Sequence, residues 1–266
     1  MKRAIVIGGG PAGLMAADEL SQAGAQVTII EAKPSLGRKF LMAGKSGLNL
    51  TKDELLSEFE THYSDAQSWL SPILKEFGPT DVGAFAANLG QEVFTGSSGR
   101  VFPKAMKASP LLRAWILRLS DKGVEFRTKW RWTGWQQDCL GFQTPEGGQT
   151  LTADAFVFAL GGASWARLGS DGQWAELFAK EDIELAPFNA ANAAVHVDWS
   201  AHMQPHFGAP LKAVSFTSGP YNSNGEAVIS ERGLEGGGIY SVSRGVREGH
   251  ALFVDLRTDW SVERVQ

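Results

Sequence analysis

The chain has 266 residues, 43% of them hydrophobic and 20% charged, enough for one large domain or two smaller ones with real cores. A formal net charge of −4 gives no pull toward nucleic acid or an anionic membrane. The single cysteine, Cys139, excludes an intramolecular disulfide and a Cys-x-x-Cys redox or metal pair, and it fits a reducing compartment, here the cytoplasm.

Lys2-Arg3 followed by AIVI mimics the start of a signal peptide, but glycines interrupt the apolar run at once. Ala4 to Ile7 therefore reads as a short strand. The segment LMAADELSQAG has helical spacing and stops at Gly24, and Val27 to Ile30 is a second buried strand ending at Glu31. Strand, helix and strand within about 30 residues form the unit of a parallel sheet. Residues 53–90 read mainly as helix, with Asp81 as the cap of a second helical piece. Residues 91–105 read as loop and short strand around GSSGRVFP. A helix from Leu111 to Lys122 follows, opened by Ser109-Pro110 with proline at its first position. The runs VEFR, KWRWTGW and GFQT, with a turn at PEGGQ, predict an antiparallel meander. Ala155 to Leu160 is a buried strand running into Gly161-Gly162. The longest apolar run, Ala155 to Ala163, is too short to span a bilayer.

From Pro187 the texture changes to short alternating segments separated by Gly, Pro and Asn turns. The expected division is a first domain over 1–185, with the helical segment 53–90 inside it, and a β-rich portion over 186–266. The nine tryptophans read as packing residues. The five histidines form no metal motif. His202 and His206 are four apart, but Pro205 opposes the helix that would pair them, so no metal is expected.

The chemistry begins at Gly8-x-Gly10-x-x-Gly13, which follows a strand and opens a helix. Gly8 permits the tight turn, Gly10 lets backbone approach a pyrophosphate, and Gly13 lets helix and strand pack closely. The helix N-terminus offers free N–H groups and its positive end to phosphates. Glu31 lies roughly 20 residues on, where a carboxylate can accept from both hydroxyls of a ribose and repels a 2′-phosphate. NADP is thereby disfavoured, and NAD and FAD remain. A second cluster, GRKFLMAGKSGLNLT over 37–51, sets Arg38, Lys39 and Lys45 among glycines and reads as an anion-binding loop.

Pro11-Ala12 inside the first loop and Gly37-Arg38 shortly after Glu31 resemble the glutathione-reductase-like FAD superfamily. Further on, GRVFPKAMKAS (99–109), FALGGAS (158–164), LGSDG (168–172) and ERGLEGGGIY (231–240) occur in order. Together these motifs resemble bacterial NAD(P)/FAD-dependent flavoproteins of the aminoacetone-oxidase-like and bile-acid-reductase-like kind, over essentially the whole chain. The resemblance implies an α/β fold with a Rossmann-like FAD-binding domain and a second, β-rich inserted domain. It implies FAD contacts at Gly8, Gly10, Pro11, Ala12, Gly13, Glu31, Ala32, Arg38, Lys39, Gly47, Leu48 and Asn49. Gly161 and Gly162 would close over the ribose or pyrophosphate side. Arg38 or Lys39 would neutralise the diphosphate, and backbone N–H groups of Gly47 to Asn49 would face the flavin. Leu48 stands where many relatives have cysteine, so no thiol in this loop serves a redox role.

The expected function is an FAD-dependent oxidoreductase passing hydride between a small organic substrate and flavin, with NAD(P)H or oxygen as second partner. Arg100 in GRVFP is a candidate for a charge facing substrate or flavin, and Glu231 and Arg232 could line the second region's face. The rival readings are an NAD-dependent dehydrogenase using the same fingerprint and a flavin-binding module without turnover. The resembling family is longer and returns to its first sheet near the C-terminus. No such strand is found in 185–266, so the chain reads as C-terminally truncated.

Overall fold

The computed structural model describes residues 1–44, 47–261 and 264. Contacts along the chain divide it into two compact units, Met1–Leu185 and Ala186–Gln266. The first unit opens with strand β1 (Arg3–Ile7), helix α1 (Pro11–Gln22), strand β2 (Gln26–Glu31) and the short helix α2 (Arg38–Ala43). Then come β3 (Thr51–Lys52), α3 (Leu56–Phe59), α4 (Gln67–Glu76), α5 (Pro79–Asn88), β4 (Val93–Thr95), β5 (Arg100–Pro103) and α6 (Ala108–Asp121). The unit continues through β6 (Glu125–Thr128), β7 (Arg131–Gln136), β8 (Cys139–Thr144), β9 (Gly147–Leu151), β10 (Ala155–Phe158) and α7 (Trp174–Ala179).

The central sheet has the order β10-β1-β2-β6, and every pair in it is parallel. β1 is buried along Ala4–Ile7, as a parallel strand covered on both faces must be. Its alternate residues feed two cores. Ala4 and Val6 join Val27, Ile29, Leu14, Ala17, Leu111, Trp115 and Leu119 beneath α1 and α6. Ile5 and Ile7 join Ile30, Trp132, Leu140 and Phe142 beneath the antiparallel meander β7-β8-β9. The result is a three-layer Rossmann-like domain of helices, parallel sheet and meander.

Four local expectations are corrected. VEFR does not belong to the meander: β6 pairs parallel with β2, because Phe126 is drawn to the helical core beside Ile29. The stretch 53–90 is mainly helical but in more pieces than the two expected: Ser64 adopts a non-helical φ of 49° between α3 and α4, and Pro72 removes a hydrogen bond inside α4. α5 is capped by Gly78 instead of Asp81, whose carboxylate accepts the Gly78 N–H at 2.8 Å from the first turn. α6 starts at Ala108, so Pro110 is its third residue.

The second unit carries β11 (Val195–His196), β12 (Pro210–Ser218), β13 (Tyr221–Ser230), β14 (Gly233–Glu235), α8 (Gly237–Tyr240), α9 (Ser243–Arg247) and β15 (Phe253–Asp255). Its sheet has the order β11-β14-β13-β12-β15, all antiparallel. Val214, Phe216, Ala227, Ile229, Leu234, Ile239 and Val242 form its core.

Candidate functional site

A cavity of about 820 Å³ opens at the C-terminal ends of β1, β2 and β10. This is where the chain leaves β1 toward β2 on one side while β10 flanks it on the other, the usual place for a ligand in a parallel sheet. Gly8, Gly10, Pro11, Ala12, Glu31, Ala32, Arg38, Lys39 and Gly161 all line it.

The three fingerprint glycines stand in three different environments. Gly8 has φ +114°, and a Cβ on it would lie 2.2 Å from the Ala159 carbonyl oxygen of the strand alongside. A Cβ on Gly13 would lie 1.8 Å from the Gly8 carbonyl oxygen, so α1 rests against the turn at a distance only glycine allows. Gly10 meets no atom of another described residue within 4 Å of its missing Cβ, yet it lines the cavity and caps α1. Backbone there is bare toward the cavity at the N-terminus of a 12-residue helix, a cradle for phosphate. The loop is fixed by Gly8 N–H to Ile30 O and Ala159 N–H to Ile7 O, both 2.8 Å, and by Gly37 N–H to Gly9 O at 2.8 Å.

Glu31 is held by two backbone donors. Its Oε2 accepts the Gly9 N–H at 2.9 Å and its Oε1 accepts the Lys33 N–H at 2.7 Å. Each oxygen keeps a second lone pair for a ligand hydroxyl. The Lys39 ammonium donates to the Ser164 hydroxyl, joining α2 to the loop after β10. Arg131 of β7 pairs with Asp171 at 3.1 Å, and the Trp174 indole donates to the Gly161 carbonyl at 3.1 Å. Two buried polar atoms of lining residues, Arg38 Nε and Ser170 Oγ, have no hydrogen-bond partner among the described residues. The bare Gly10 backbone, the pinned carboxylate and these two unsatisfied atoms fit a dinucleotide carrying phosphate and ribose.

The remaining expected contacts lie elsewhere. Gly13, Gly162, Gly47, Leu48, Asn49 and Arg100 are outside the cavity lining. Leu48 is 4% exposed in the helical core, and its N–H goes to the Met106 carbonyl at 3.2 Å. Its apolar side chain is buried in that core and not at the cavity wall. Lys45 and Ser46 of the same loop lie outside the described residues. Arg100 is exposed on β5. Glu231 and Arg232 are exposed in the turn between β13 and β14. No group of three or more His, Cys, Asp or Glu side chains could hold a metal among the described residues. No described helix is long and apolar enough to cross a membrane.

Sequence reasoning missed the contribution of the meander and of the segment after β10. Trp130, Arg131, Trp132, Thr133, Ser170, Asp171, Gln173 and Trp174 also line the cavity. Thr133 sits where the β7–β8 register slips between Trp132 and Gly134, and such bulges re-aim residues near sites. Gly134 within an aromatic strand was the readable signal.

The family described as HI0933-like protein Rossmann domain matches residues 2–244. A 3-dehydro-bile acid delta(4,6)-reductase of Clostridium scindens is 28% identical over 255 residues, covering 94% of this chain and 61% of the relative. A ribosomal RNA dihydrouridine synthase of Escherichia coli is 23% identical over 262 residues, covering 98% of this chain and 65% of the relative. The chain thus spans less than two thirds of each. Among solved structures, THI4 of Thermovibrio ammonificans aligns with a TM-score of 0.41 at 19% identity, covering 69% of this chain and 64% of that one.

Proposed function

Because the chain belongs to the HI0933-like Rossmann family, a family of FAD-binding flavoproteins, we propose that it works as an FAD-dependent oxidoreductase. In this reading the backbone from Gly8 to Ala12 and the start of α1 hold the diphosphate, with Arg38 and Lys39 supplying positive charge beside it. Glu31 accepts the ribose hydroxyls. Gly161, with Gly162 after it, lets the strand end come close to the same stretch, and Gly13 acts by letting α1 pack on the turn. Leu48 is excluded from the contact set, and Gly47 and Asn49 are not needed by it. When bound, FAD supplies hydride exchange that the side chains of this chain lack.

The single observation that carries the reading is the open backbone at Gly10, facing the cavity beside a carboxylate oriented by two N–H donors. The substrate in this reading is a small organic molecule, since a net charge of −4 opposes the phosphate backbone of a nucleic acid. One relative is named as a reductase and the other as a dihydrouridine synthase, and dihydrouridine is uridine with one carbon–carbon double bond saturated. The favoured direction is accordingly delivery of hydride to the substrate, with NAD(P)H as the donor and reaction in the cytoplasm. The test is anaerobic spectroscopy of the FAD-loaded protein. NADH or NADPH should bleach the flavin band, and a conjugated enone or air should restore it. A loaded protein whose band neither nicotinamide changes would be a flavin-binding module, not this enzyme.

A further inference from the structure

The LGSDG segment carries a polar group that the glycine fingerprint leaves unused. Ser170 is 9% exposed, and its Oγ has no hydrogen-bond partner among the described residues. It lines the same cavity as Gly8, Gly10 and Glu31. A hydroxyl removed from water without a partner is unfavourable, so a buried one at a cavity wall marks where a ligand's polar atom belongs.

The surroundings fix that hydroxyl. Gly161, at the end of the β10 segment, has φ +78°, and a Cβ on it would lie 2.5 Å from Ser170 Oγ. Glycine at 161 is therefore what leaves room for the hydroxyl. On the far side Asp171 is tied to Arg131 at 3.1 Å, and its Oδ1 accepts the Gln173 N–H at 3.2 Å. Trp174 closes the segment onto Gly161 through its indole N–H. On the near side a Cβ on Gly169 would lie 3.9 Å from Glu31 Oε1 and 3.3 Å from Lys33 Cγ. Ser170 thus follows directly on a residue packed at the ribose-accepting carboxylate.

We infer that Ser170 is a cofactor-contacting residue whose hydroxyl bonds the adenosine diphosphate half of FAD, at a ribose hydroxyl or a phosphate oxygen. The inference rests on the FAD reading above and assigns one more contact in that site. It separates Ser170 from a structural serine, because its hydroxyl bonds no other group among the described residues. Removing it leaves the empty fold no worse and the loaded one weaker.

The experiment compares wild type with Ser170→Ala by calorimetric titration of FAD and of ADP into apoprotein, with melting temperatures of both apoproteins. Loss of one hydrogen bond should weaken FAD and ADP alike, by about fivefold, while the apo melting temperature stays level or rises. Weakened FAD with unchanged ADP would place the contact on the flavin half and overturn the inference. Unchanged affinity for both, or a lowered apo melting temperature, would also overturn it. A wild-type protein that takes up neither ligand would instead sink the FAD reading itself.

Discussion

At the scale of single residues, the glycine fingerprint separates into packing and binding roles. Gly13 belongs to packing, since a Cβ on it would lie 1.8 Å from backbone oxygen that cannot move aside cheaply. Gly13→Ala should therefore destabilise the apoprotein by about 1–3 kcal/mol, or somewhat more, in urea unfolding. A stability equal to wild type would show that the turn yields. In the proposed reading Gly10 serves binding, because no described residue occupies the space its side chain would take. The turn itself was legible in the sequence, because strand, glycines, helix and acid fall in a fixed order. Ser170 and Arg131 were not. A serine in a loop carries no periodicity, and an unsatisfied hydroxyl exists only once Gly161 and the neighbouring turn have folded beside it.

At the scale of elements, α1 is held in place by the helix behind it. Asp18 of α1 is buried and accepts from the Trp115 indole at 3.1 Å, from the Lys122 ammonium at 2.7 Å and from Arg118. Trp115 and Arg118 stand on α6 and Lys122 at its end, so one carboxylate ties the helix that opens at the cavity to its support. Burial pushes the Asp18 carboxyl up, but the hydrogen bonds and charges of Lys122 and Arg118 outweigh it and leave the group below its ordinary value. The folded state therefore binds fewer protons than the unfolded one between the two values. Stability from this group is present above about pH 4 and is lost as pH falls through the lowered folded value. Asp18→Asn should cost about 3 kcal/mol at neutral pH and flatten the acid limb of the stability profile. An unchanged acid limb would show that Asp18 does not carry it. This tie was invisible in the sequence, where Asp18 reads as one more polar residue on an amphipathic helix. The pairing of β6 is hidden from the sequence for a related reason. A four-residue run gives no hint of its partner, and only the helical core decides that it pairs with β2. The second glycine-and-base loop was half legible: Arg38 and Lys39 reach the cavity, while Leu48 is drawn into apolar packing.

At the scale of the whole molecule, the first unit contains every residue that lines the cavity. In the proposed reading the cavity of the first unit is the FAD site, approached over the backbone at Gly10. Gly10→Ser tests it most directly. Serine suits the cap position, whose φ of −83° and ψ of −178° are extended, so the fold should be untouched. FAD uptake can be followed by tryptophan emission, since Trp130, Trp132 and Trp174 line the cavity. Wild type should show saturable quenching with one FAD per chain. In Gly10→Ser at an unchanged melting temperature, the affinity should be weaker by roughly tenfold or more, since displaced phosphate contacts are charge-assisted. A Gly10→Ser protein that binds FAD as tightly as wild type would contradict this reading.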